Sequence, residues 1–96
     1  MKYNLSDLTI LLTLYDRSNF TKIWLKNNYI NNLNYFVADG SKENFNFEIF
    51  KKIKKHNITY KRFAFDKNIE NYFTKLINSL QIIQTKYVMI SDNDDF

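Results

Sequence analysis

The strict alternation of two kinds of segment constrains this chain more than anything else in its 96 residues. Four short apolar runs of strand type occur at Leu8–Leu14, Tyr35–Ala38, Thr59–Phe65 and Tyr87–Ile90. The first and last are almost continuously apolar, as expected of strands covered on both faces of a parallel sheet. Between the runs lie three segments of helical spacing. Asn19–Leu33 puts Phe20, Ile23, Trp24 and Ile30 on one face, with Asn27 interrupting the stripe. Glu43–Lys55 offers Ile49, Phe50 and Ile53 behind Ser41 as an N-cap. Ile69–Ile83 has the cleanest rhythm, through Ile69, Tyr72, Phe73, Leu76, Ile77, Leu80 and Ile83. The order β-α-β-α-β-α-β predicts an α/β fold of three layers, a mostly parallel sheet of about four strands with helices on both faces. Right-handed crossovers restrict the strand order to 3-2-1-4, with 2-1-3-4 as the alternative.

The length accommodates one small domain, residues 1–96, and the chain shows no repeat, low-complexity linker or composition break. Hydrophobic residues at 45% and aromatics at 18% are enough to fold, which excludes a disordered chain. No apolar run approaches the roughly 20 residues of a membrane span. Asp7 interrupts the start before Leu8–Leu14, unlike a signal peptide. Cys is absent, which excludes disulfides and thiolate metal sites and fits a cytoplasmic location.

The net charge of +4 raises nucleic acid and anionic membrane surfaces as partners. Lys51, Lys52, Lys54 and Lys55, however, read as the solvated face of a helix. Phe47 and Phe50 beside them fall where that helix packs on the sheet. A nucleic-acid partner is therefore not expected. His56 has no partner in the pattern and receives no role.

In open α/β sheets, ligands bind beyond the carboxyl ends of the strands, near the point where strand order reverses. Each strand here sends an Asp to that edge: Asp16, Asp39, Asp66 and the run Asp92–Asn93–Asp94–Asp95. Single aspartates are common loop and capping residues. Three carboxylates within four residues repel one another unless a cation neutralises them. Oxygen ligands without His or Cys suit Mg²⁺ or Mn²⁺, whose usual task is to bridge to phosphates. A 3-2-1-4 sheet reverses between strands one and four, which sets Asp92–Asp95 beside Tyr15, Asp16 and Arg17, with Asp39 one strand further. Such a crevice fits a nucleoside diphosphate. Neither GxGxxG nor GxxxxGK[ST] occurs, so dinucleotide and P-loop readings fall away.

The runs LTILLTLYDR, YFVADGS and YVMISDNDDF, in this order, resemble the pattern of family-two glycosyltransferases of the GT-A fold. That pattern has a first strand ending in a T-x-Y-N-R-like turn, a second ending in Asp-Gly-Ser and a fourth ending in D-x-D-D. The resemblance covers nearly the whole chain and implies the nucleotide-sugar-binding half of such an enzyme, a Rossmann-like GT-A half-domain. It implies donor contacts from Thr13, Tyr15 and Arg17 in the first turn, from Asp39 to the base and from Asp92 to the ribose or metal. Asp94, with Asp92, would ligate the Mg²⁺ or Mn²⁺ that bridges the diphosphate. Lys75 falls near a position where the family often has a basic residue, and reads as an ordinary surface lysine.

Asp16 departs from the usual Asn of the first turn and adds negative charge near the expected diphosphate. The chain ends at Phe96, whereas family members continue into an acceptor-binding half that carries the general base. No catalytic residue is therefore assigned, and the chain reads as truncated after the D-x-D-D motif. The resemblance leaves room for peripheral membrane association of a full enzyme. A non-catalytic nucleotide-binding or assembly module, or a nucleotidyltransferase-like domain, is the alternative. With strand four at an edge, the uncharged run Tyr87–Ile90 predicts a homodimer.

Overall fold

In the computed structural model, which describes residues 4–94, β1 spans Leu8–Leu14, β2 Asn34–Asp39, β3 Ile58–Arg62 and β4 Tyr87–Asp92. The helices are α1 (Ser18–Asn28), α2 (Phe45–Lys51) and α3 (Ile69–Ile82), and a 3-10 turn at Leu5–Asp7 leads into β1. Asp95, the last carboxylate of the acidic run, lies outside the described residues, as do Met1–Tyr3 of the N-terminal reading.

The four strands are parallel and ordered β3-β2-β1-β4, the first of the two expected arrangements. β1 and β2 are the central strands and are buried along almost their whole length. Their side chains divide between two cores. On one face Ile10, Leu12, Leu14, Tyr35 and Val37 pack with Trp24 of α1 and Phe50 of α2. On the other, Leu11, Phe36 and Ala38 meet Leu76 of α3, Ile83 and Val88. The sheet is thus covered on both faces, which is why its central strands are nearly all apolar.

Element ends depart from the expectation where side chains capture the backbone. α1 stops at Asn28 rather than Leu33: Tyr29 is extended, and the Tyr35 hydroxyl accepts from the Ile30 N–H and donates to the Asn28 carbonyl, two groups that a longer helix would use itself. Buried Asn57 then donates to the carbonyls of Ile30, Asn31 and Leu33 in the loop that follows. α2 is limited to Phe45–Lys51, and its N-cap is Asn44 rather than Ser41, whose hydroxyl is engaged elsewhere. β3 ends at Arg62, paired with the last residue of β2, so Phe63–Phe65 have no strand to extend. β4 continues past Ile90 to Asp92, which lies in register with Thr13.

α3 is rotated from the expected orientation. Its fully buried residues are Lys75 and Ser79, while Ile69, Phe73, Ile77 and Leu80 stay exposed. The apolar stripe therefore lies to one side of the contact with the sheet. Only Tyr72, Leu76 and Ile83 of the predicted set are partly sheltered. α1 behaves similarly: Trp24 is buried, but Phe20, Ile23 and Ile30 are not. In α2, Phe50 is core whereas Phe47 is partly exposed against Tyr60.

Candidate functional site

The loops after β1, β2 and β4 are tied into one unit by polar side chains. Two consecutive residues after β1, Asp16 and Arg17, hold positive φ (55° each), an uncommon backbone for non-glycine residues and a costly one for Arg. Neighbouring side chains fix it. The Asn93 amide donates to the carbonyls of Asp16 (3.3 Å) and Arg17 (3.1 Å) and to the Thr21 hydroxyl (3.1 Å). The Asp16 N–H donates to Ser41 Oγ at 2.7 Å. Its carboxylate turns away from the crevice and accepts from the N–H groups of Glu43 (2.9 Å) and Lys42 (3.4 Å). The extra negative charge of Asp16 thus serves the loop before α2 and lies outside the cleft lining.

Asp39 is fully buried. Its Oδ1 accepts from the Ser41 N–H (3.0 Å) and the Ser41 hydroxyl, and its Oδ2 accepts from the Tyr60 hydroxyl at 2.5 Å. Burial, and then the Asp39 carboxylate, push the Tyr60 phenol well above its ordinary pKa, so it remains a donor. In this arrangement both Asp39 oxygens are engaged within the protein and set the shape of Gly40–Ser41.

A cleft of about 230 Å³ opens between the ends of β1 and β4, where the strand order reverses. Thr13, Tyr15, Arg17, Asp92 and Asp94 all line it, whereas Asp16 and Asp39 do not. Thr13 donates its hydroxyl to Asp92 Oδ1 at 2.5 Å, joining the two strand ends. Arg17 lies 3.5 Å from Asp94 across the mouth, with both side chains about half exposed. Tyr15 is stacked on Phe65 (ring centroids 6.0 Å apart). Asn93, between the two aspartates, also lines the cleft, but it is buried and lends its side chain to the β1 loop.

The floor of the cleft carries an ion pair that the sequence did not announce. Lys75 Nζ lies 2.5 Å from Asp66 Oδ2 and donates to the Leu14 carbonyl at 3.2 Å. The two side chains are 1% and 7% exposed. Lys75 is therefore not the surface residue expected. Asp66 Oδ1 is buried without a hydrogen-bond partner among the described residues. Gly40 leaves the space for this carboxylate: a Cβ there would fall 2.5 Å from the Asp66 carboxyl carbon.

With Asp66, Asp92 and Asp94 against Arg17 and Lys75, the walls of the cleft carry three carboxylates and two cations. Among the described residues no group of three or more His, Cys, Asp or Glu is arranged to hold a metal ion. A larger cavity, about 690 Å³, lies at the opposite edge of the sheet around Asn57 and Thr85. Asp7 is its only carboxylate among the described residues, so space and chemistry do not coincide there. No helix among the described residues is long and apolar enough to cross a membrane.

Compared with known proteins, the chain matches no protein-family model and no curated protein. The likeness to glycosyltransferases rests on the three motifs and their order alone.

Proposed function

We propose that this chain is the donor-binding domain of a glycosyltransferase, holding a nucleotide-sugar through a divalent metal. One observation carries the reading: Asp92 and Asp94 face Thr13, Tyr15 and Arg17 across a cleft at the reversal point of a parallel β3-β2-β1-β4 sheet. Two carboxylates suffice for Mg²⁺ or Mn²⁺, since such ions commonly take one or two from the protein and the rest from phosphate and water. The surplus carboxylate in the cleft also makes a bare diphosphate a poor ligand and a metal-bound one a better match. Ligand pockets usually measure about 300–1,000 Å³. At about 230 Å³ the cleft holds part of the donor, and the remainder lies over its open side. When bound, the metal would act as Lewis acid on the leaving diphosphate. Arg17 would supply a fixed cation to the phosphates, and Tyr15 an aromatic face.

The test is calorimetric titration of UDP, GDP and their sugar conjugates, with and without Mn²⁺. Metal-dependent binding is expected, and no binding of any of them would overturn the reading. A module that binds without turnover would give the same titration, and an assay for sugar release separates the two.

The reading includes a homodimer. β4 pairs with β1 only, and Tyr87, Met89 and Ile90 are about half exposed along a run without charge or Pro. A two-fold axis that set β4 beside its mate would satisfy that edge. Val88 is unsuitable for testing this, because its side chain packs on Leu11 and Phe36. Met89→Lys charges the exposed side instead. Sedimentation at micromolar concentration is expected to show a dimer for the unmodified chain and a monomer for Met89→Lys. A monomeric unmodified chain would mean that the edge is not used.

A further inference from the structure

The end of the molecule opposite the cleft, where α1 and α2 finish, carries an apolar groove of about 290 Å³. Leu25 and Tyr29 at the end of α1 form one wall, and Ile53 and Ile58 form the other. Lys26 and Lys55 stand at its rim. Lys51, Lys52 and Lys54 are exposed on the adjoining turn. Neither Leu25–Ile30 nor Phe50–Ile58 contains an acidic residue.

These five lysines account for the basicity of the whole chain. It has fourteen basic and ten acidic residues; with the five set aside, nine basic residues face ten acidic ones. A single lysine in the last turn would complement the α2 helix dipole. Four from Lys51 to Lys55 exceed that need, and a negatively charged partner would relieve their mutual repulsion.

We propose that this end of the protein docks on an anionic lipid bilayer, with lysines over the headgroups and the groove against the headgroup–acyl boundary. An apolar strip flanked by lysines suits that boundary, because the long aliphatic stems add to the apolar surface while the ammonium groups reach the headgroups. Single-stranded nucleic acid is another polyanion, and it binds where bases can stack on an open aromatic face. The single aromatic in the groove, Tyr29, is already stacked on Tyr35 (centroids 5.4 Å apart) and has Lys55 Nζ over its ring at 5.8 Å. Tyr29 is therefore already engaged by Tyr35 and Lys55. Docked in this way, the nucleotide cleft points away from the membrane, into the aqueous phase.

Co-sedimentation with vesicles tests the proposal, comparing pure phosphatidylcholine with a mixture containing about a third phosphatidylglycerol. Binding to the anionic vesicles alone is expected, weakening as salt rises from 50 to 500 mM. Each lysine near such a surface is worth about fivefold in binding. Lys54→Gln/Lys55→Gln is thus expected to lose about 25-fold, with an unchanged circular dichroism spectrum. Equal binding to neutral vesicles, no binding to anionic ones, or an undiminished double variant would overturn the proposal. So would tighter binding to a single-stranded oligonucleotide than to the anionic vesicles at the same salt.

Discussion

Replacing Lys75 with methionine is expected to destabilise the fold by about 3–5 kcal/mol, because it strands the buried Asp66 carboxylate without its cation. Asp66 has no slack with which to absorb the loss. One of its oxygens already lacks a partner among the described residues, and the carboxylate fills the space left by the missing side chain of Gly40. The Leu14 carbonyl, at the end of β1, loses its Lys75 donor as well. Domains of this size are stable by only about 5–15 kcal/mol, so the variant would stand near its unfolding midpoint in mild denaturant. Replacing both partners, as Lys75→Met/Asp66→Leu, is expected to recover much of the loss, since an apolar pair carries no desolvation penalty. Gly40→Ala approaches the same pair from the backbone: its methyl group displaces the carboxylate at a cost of about 1–3 kcal/mol. Urea unfolding followed by circular dichroism measures all three. A single variant no less stable than the double one would show that the ion pair does not hold the cleft floor together.

Asp94→Asn is expected to abolish the Mn²⁺ enhancement of nucleotide binding, a loss of about tenfold or more, while leaving stability nearly unchanged. The two effects separate because the contact with Arg17 is half exposed and 3.5 Å long. Pairs of that kind contribute about 0–1 kcal/mol. Calorimetry with and without Mn²⁺ reads the first effect and thermal melting the second. Unchanged metal-dependent affinity would remove Asp94 from the site. Asp39→Ala offers a contrast. It deprives Ser41 and Tyr60 of their buried acceptor, so it is expected to act first on stability.

The sheet was legible in the sequence because strand burial leaves a mark in composition. Leu8–Leu14 is apolar enough to be central, and the polar residues that follow each run point to one edge. The orientation of α3 was not legible. A 3.6-residue rhythm says which side chains share a face, but not which face meets the sheet. Here the contact is made beside the stripe, along Lys75 and Ser79. Asp66 and Lys75 are nine residues apart on different elements, and no local pattern links them. In the site, Thr13, Tyr15, Arg17, Asp92 and Asp94 come together because register and strand order alone bring the ends of β1 and β4 side by side. The internal work of Asp39, Asp16 and Asn93 is invisible in one dimension. A side chain that binds its own backbone network and one that binds a ligand can be the same residue in the same loop.

The uneven burial of the sheet also sets a hierarchy of opening. β1 and β2 are buried nearly throughout, whereas β3 and β4 hold no fully buried position. Amide hydrogens of the central pair should therefore exchange with solvent only on global unfolding, and those of β4 by a smaller, local detachment. β4 carries Asp92 and leads to Asp94, so one wall of the cleft belongs to an edge strand. A ligand spanning both strand ends must hold that wall in place, and slower exchange in β4 than in β3 would be its signature.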